Sequence, residues 1–231
     1  MKKFLAILCA LVLCLSCATA MTEGESHPKY VFMFIGDGMG NPQVTATQYY
    51  LGSIENPDSK FPVPADLSFT KFPYLGLVTT YDSSSFCPDS ASTATSMASG
   101  KKTLSGVINY DETLTNPYKI ITEYAKEAGK KVGVITSVSV DHATPAAYYA
   151  KQPSRNDYYD IALQALTGTT VDYLAGGGFK KMNGADGQQK SLLDVAKENG
   201  WVIPTTNDEI RSLTATNDRV LATNPVLQDS K

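Results

Sequence analysis

The sequence predicts an α/β fold built on a largely parallel sheet. Three observations point there. The run KYVFMFIG at 29–36 is almost continuously apolar, as a strand covered on both faces must be. Further β-rich runs at 74–81, 132–140, 171–177 and 219–222 alternate with stretches of helical pattern. The residues best suited to chemistry fall just after three of these runs, where open α/β sheets hold their sites.

The first strand leads through GDGMG into a helix over Pro42–Leu51, then a Pro- and Asp-rich loop over 52–67. The second strand, YLGLVTTY, leads into FCPDSASTATSMASGKK at 86–102. There Pro88 interrupts regular structure, and a run of Ala, Ser and Thr starts a helix at Ser90 that ends on Gly100. Residues 117–131 form an amphipathic helix with Gly129 near its end, and VGVITSVSV follows as a strand. Thr144 as N-cap and Pro145 as first helical residue start a helix through Lys151. Asn156–Leu166 reads as another helix. VDYLAGG at 171–177 is a short strand running into a glycine turn, and GGGF at 176–179 lacks the spacing of a dinucleotide loop. Ser191 caps LLDVAKEN, which ends at Gly200; WVIP and then RVLA follow. The chain shows no internal repeat and no coiled-coil heptads.

Of 231 residues, 42% are hydrophobic and 19% charged, and the net charge of −3 argues against a nucleic-acid footprint. Lys2 and Lys3, the apolar run FLAILCALVLCL and the small residues Ala18-Thr19-Ala20 form a signal peptide over 1–20. A polar tether over 21–28 and a folded region over 29–231 follow. Export to the periplasm or beyond the cell is the expectation. Lipid attachment at Cys17 is the lesser alternative, because Cys14 stands three residues earlier where an aliphatic is usual. The apolar run is too short for a stable membrane span. Cys9, Cys14 and Cys17 leave with the leader, so Cys87 remains alone without an intrachain partner and is expected to be buried.

Each candidate for chemistry has a plain reading beside a functional one. Asp37, flanked by glycines, is either a turn residue or a ligand for a hard cation. Ser90 is either an N-cap or a nucleophile held at the positive end of a helix. Asp141-His142-Ala143-Thr144 is either a helix start or a source of ligands. Arg155 is either a surface arginine or a bidentate phosphate clamp. Taken together they suggest phosphoryl transfer.

IGDGMG, then DSASTAT, then HATPAA followed by Arg155 resembles the alkaline phosphatase family, in the family's order, from about Val31 to the glycine turn at 176–178. The resemblance implies a three-layer sandwich on a mostly parallel sheet and an exported phosphomonoesterase using zinc and magnesium. Its substrates are small phosphomonoesters, and homodimerisation is left open. Ser90 resembles the nucleophile that becomes phosphoserine and touches a zinc. Asp37 resembles the carboxylate between that zinc and the magnesium. His142 and Thr144 fall at the two magnesium-side positions, and Arg155 at the phosphate-binding arginine with Asp89 as its orienting partner. Cys87 stands where an aliphatic is usual. His142 stands where some members carry Asp; an imidazole suits magnesium poorly, so water-mediated contact, or zinc or cobalt, is the alternative. Family members are longer, and their later segments supply a magnesium carboxylate and most zinc ligands, whereas no histidine follows His142 here. The resemblance therefore implies that 29–231 is the N-terminal part of such a catalytic domain, C-terminally incomplete, with little or no turnover by residues 21–231 alone. An inactive exported metal- or phosphate-binding fragment and a phosphodiesterase or sulfatase-like hydrolase are the alternatives. A serine acyl-hydrolase is disfavoured by the lack of a G-x-S-x-G elbow and a base histidine.

Overall fold

The computed structural model describes residues 28–214, 219–224 and 226–227. The leader over 1–20, Cys17 and all of the tether but Pro28 lie outside these. The chain divides into two compact units, Met1–Val44 and Thr45–Lys231.

In the first unit, residues 29–36 are exposed and carry no strand, which corrects the expectation of a strand covered on both faces. An apolar run becomes a strand only when a neighbour accepts and donates its backbone hydrogen bonds. GDGMG forms a tight turn: Met39 N–H donates to the Gly36 carbonyl at 3.1 Å, with Gly38 at φ +67°. Helix α1, Asn41–Glu55, begins here and runs on across the unit boundary.

In the second unit, Gly52 of α1 is buried because the chain at 63–65 passes over it. A Cβ there would meet the Val63 carbonyl oxygen at 1.9 Å. A short 3-10 turn, Ser68–Lys71, follows. Residues 74–81 are not a strand either; Tyr74, Leu75, Leu77 and Val78 are each more than four-fifths exposed. Helix α2 is Ser90–Ser99, α3 is Ile121–Glu127 and α4 is Ala143–Ala146. Helices α5, Tyr158–Thr167, α6, Leu192–Glu198, and α7, Asn207–Arg211, complete the set. Strands β1 (Gly133–Ile135), β2 (Tyr173–Gly176) and β3 (Val220–Thr223) form one parallel sheet in the order β1-β2-β3. Val134 pairs with Leu174, and Leu174 with Leu221. Val202 adds a single parallel bridge to Val220.

The strand expected over 132–140 is cut to three residues. Beyond Ile135 the chain leaves the ladder and folds across the end of β2, where Val140 N–H donates to Gly178 and Gly177 N–H to Val138. Gly176 permits this, since a Cβ there would lie 2.7 Å from the Thr136 methyl. The core joins Leu174 and Leu221 of the sheet to Ile161, Leu166 and Leu192 of the covering helices. Trp201 seals it, donating its indole N–H to the Leu166 carbonyl at 2.8 Å. The sheet and helices agree with the α/β expectation.

Candidate active site

Helix α2 explains its own composition. Asp89, in extended conformation, is the N-cap, and its carboxylate accepts from Ser92 N–H at 3.0 Å. Ser90 is therefore the first helical residue and not the cap, which corrects the cap reading. Within the helix, Thr93, Ser96 and Ser99 donate their hydroxyls to the carbonyls four residues back. Ala91, Ala94 and Ala98 form the buried face, and α3 and α4 pack against this helix. The helix ends on Gly100 at φ +72°, whose N–H reaches Ser96.

Three further contacts fix the segment carrying Arg155 to α2. Thr95 Oγ1 donates to the Val107 carbonyl and accepts from Asn109 N–H. Ile108 and Gln152 exchange both backbone hydrogen bonds at 2.9 Å. Gly106, at φ +81°, donates its N–H to Asp89 Oδ1 at 3.0 Å and accepts from Arg155 N–H at 2.7 Å. One glycine thus ties the carboxylate to the backbone of the arginine.

The side chains meet on that frame. Arg155 Nη1 donates to Asp89 Oδ2 at 2.8 Å, with about a quarter of each side chain left exposed. Arg155 Nη2 lies 3.4 Å from Nε2 of the buried His142. A guanidinium only donates, so this contact is a hydrogen bond only when His142 is neutral with its lone pair on Nε2. Partial burial raises the cost of ionising Asp89. The N–H groups of Gly106 and Ser92, the Arg155 guanidinium and the Ser92 hydroxyl outweigh it and hold the carboxyl below its usual range. Burial pushes the Asp141 carboxyl up, against the Lys180 N–H that donates to it at 2.7 Å.

Of the residues singled out from sequence, Asp89, Arg155 and His142 therefore come together, with Ser90 next to Asp89. Thr144 stands second in α4, which starts at Ala143 with His142 at its N-cap, so neither Thr144 nor Pro145 has the capping place expected. The helix is one turn long because Tyr148 and Tyr149 already bond back to Pro145 and Ala146 in a tighter turn. Asp37 is exposed in the other unit and is described only there. Cys87 is exposed, contrary to the buried role expected, because Ser85 Oγ clamps its backbone N–H and carbonyl in an outward loop.

Asp37, Ser90, His142 and Thr144 offer oxygens and one imidazole, donors that suit magnesium and zinc in kind. Among the described residues, however, no three His, Cys, Asp or Glu side chains stand close enough to hold an ion. The donor set does not by itself fit a complete site.

Asp82 was missed from sequence, where it falls between the run at 74–81 and the stretch at 86–102. It is buried and accepts from Ser84 N–H, Ser85 N–H and the hydroxyls of Ser84, Ser92 and Ser105. Burial works against its charge, but the Ser105 hydroxyl and the other donors win and bring its pKa down to about 2.

The sequence profile of the family described as alkaline phosphatase matches residues 28–221. Human tissue-nonspecific alkaline phosphatase is 35% identical over 179 residues, covering 67% of this chain and 33% of its own length. The alkaline phosphatase of Gadus morhua is 33% identical over 153 residues, covering 62% and 31%. Among solved structures, the alkaline phosphatase of the Antarctic bacterium TAB5 superposes with a TM-score of 0.68 at 30% identity, covering 85% of this chain and 53% of its own. The cold-active enzyme of a Shewanella species gives 0.70 at 30% identity, covering 85% and 46%. The chain thus spans about a third of the curated relatives it matches and about half of the solved ones.

Proposed function

The chain belongs to the alkaline phosphatase family, matched over residues 28–221, and from that premise we propose that it serves metal-dependent hydrolysis of small phosphomonoesters through a phosphoserine at Ser90. The observation that carries this reading is the Arg155–Asp89 pair set beside Ser90 at the start of α2.

Each residue has a part in it. Arg155, anchored through Nη1 by Asp89, offers the rest of its fork to two non-bridging oxygens of the phosphoryl group. Fixing that group sets phosphorus in line with Ser90 Oγ, so that the Oγ–P bond forms as the ester P–O bond breaks and the alcohol leaves. The positive end of α2 favours the anion left on the serine. Hydrolysis of the phosphoserine then returns Ser90 and inorganic phosphate. His142, with Nε2 3.4 Å from Arg155 Nη2, helps set the plane of the guanidinium.

Zinc and magnesium are the ions proposed, with Asp37, Ser90, His142 and Thr144 as candidate donors. A TAB5 alkaline phosphatase variant with histidine replaced by glutamate has magnesium bound in its M3 site, which supports magnesium as one of the ions proposed. Export to the periplasm or outside the cell fits the leader sequence. Among the described residues no helix is long and apolar enough to cross a membrane.

The test is hydrolysis of a chromogenic phosphomonoester, a phosphodiester and a sulfate ester by the metal-loaded enzyme, with Ser90→Ala as blank. The proposal expects turnover of the monoester that vanishes in the blank. Preferred turnover of the diester or the sulfate ester would replace it with the sister chemistries. The Arg155–Asp89 pair would equally serve a second reading, a phosphate-binding protein without turnover. Inorganic phosphate binding with serine-dependent hydrolysis of none of the three esters would favour that one.

A further inference from the structure

We infer that Asp82 and Ser92 are positioning residues for the phosphate-binding arginine, acting through Asp89; this rests on the phosphomonoesterase reading of the site. The Ser92 hydroxyl lies 2.8 Å from Asp82 Oδ2 and 2.9 Å from Asp89 Oδ1, so one proton serves two carboxylates. Asp82 is itself held from several sides. Ser84 and Ser85 N–H groups grip Oδ1 at 2.8 and 2.6 Å, and the Ser105 hydroxyl grips Oδ2 at 2.5 Å. Ser105 in turn donates its N–H to Ser84 Oγ at 2.9 Å, closing the 82–85 loop onto the 103–107 loop.

The consequence is geometric. Asp89 Oδ1 receives Ser92 N–H, the Ser92 hydroxyl and Gly106 N–H, which together fix the plane of the carboxylate. Its other oxygen, Oδ2, is thereby aimed at Arg155 Nη1. A carboxylate held only by its helix cap could rotate about χ2, and the guanidinium would follow it. Asp82 adds to that hold by fixing the Ser92 hydroxyl, and it does so from a place where it is 4% exposed. Burying a second carboxylate beside Asp89 is costly, and a network of fixed hydroxyls and amides is what makes it tolerable.

The test is inhibition by inorganic phosphate, measured for the metal-loaded enzyme and for Asp82→Ala, Ser92→Ala, Arg155→Ala and the doubles Asp82→Ala/Arg155→Ala and Ser92→Ala/Arg155→Ala. Ser92→Ala removes one hydroxyl and adds the best helix former, so it remains informative if Asp82→Ala does not fold. Asp82→Ala and Ser92→Ala should each weaken phosphate inhibition roughly three- to tenfold, within the range for neighbours sharing a network, and should have no further effect once Arg155 is gone. Loss of the same size with and without Arg155, or no loss at all, would overturn the inference while leaving the phosphatase reading intact. Unchanged inhibition in Arg155→Ala alone would overturn that reading and this inference with it.

Discussion

Arg155 Nη1 lies 2.8 Å from Asp89 Oδ2 across 66 residues of sequence. The same Asp89 caps the helix that begins with Ser90, so one carboxylate places both the helix of the proposed nucleophile and the arginine proposed to hold phosphate. Moving either partner should disturb the other.

Arg155→Ala should weaken phosphate binding to the metal-loaded enzyme by about 1.5–3 kcal/mol, the worth of charged hydrogen bonds. Phosphate inhibition measures it. Asp89→Ala should reproduce part of this loss and also lower helix stability by about 1 kcal/mol through the lost cap. Unfolding in urea separates the two effects.

Asp82 should make stability depend on acid pH. Its pKa falls from 3.8 to about 2 on folding, so between these values the unfolded chain binds more protons. The stability it lends is complete above about pH 4 and fades as the pH falls through 2. Urea midpoints measured across that window should fall less steeply for Asp82→Asn than for the natural chain.

Gly106→Ala should destabilise the protein by about 1–2 kcal/mol, the cost of a left-handed conformation for a residue with a Cβ. The φ is +81° and nothing lies within 4 Å of the added Cβ, so the cost is backbone strain and not a clash. If the backbone shifts to relieve the strain, the Gly106 links to Asp89 and Arg155 lengthen, and phosphate binding weakens as well.

What could be read from sequence was local. Pro88, the small-residue run and Gly100 carry the bounds of α2 without help from the rest of the chain, VDYLAGG contains β2, and RVLA covers all of β3 but Thr223. The Asp89–Arg155 pair was legible only through family resemblance, since no spacing rule joins residues so far apart. The runs at 29–36 and 74–81 misled because apolarity signals burial, whereas a strand needs a paired backbone. Asp82 and Ser92 were invisible for a different reason. Their meaning comes from Ser105 and Gly106, which the fold brings to them from another loop.

The most direct measurement is to expose the metal-loaded enzyme to a phosphomonoester labelled with radioactive phosphorus, quench at low pH and map the label. The account predicts label on Ser90 in the peptide that also contains Asp89, and none in Ser90→Ala. Label on another residue, or turnover without any covalent phosphoenzyme, would contradict the assignment of Ser90 as the nucleophile.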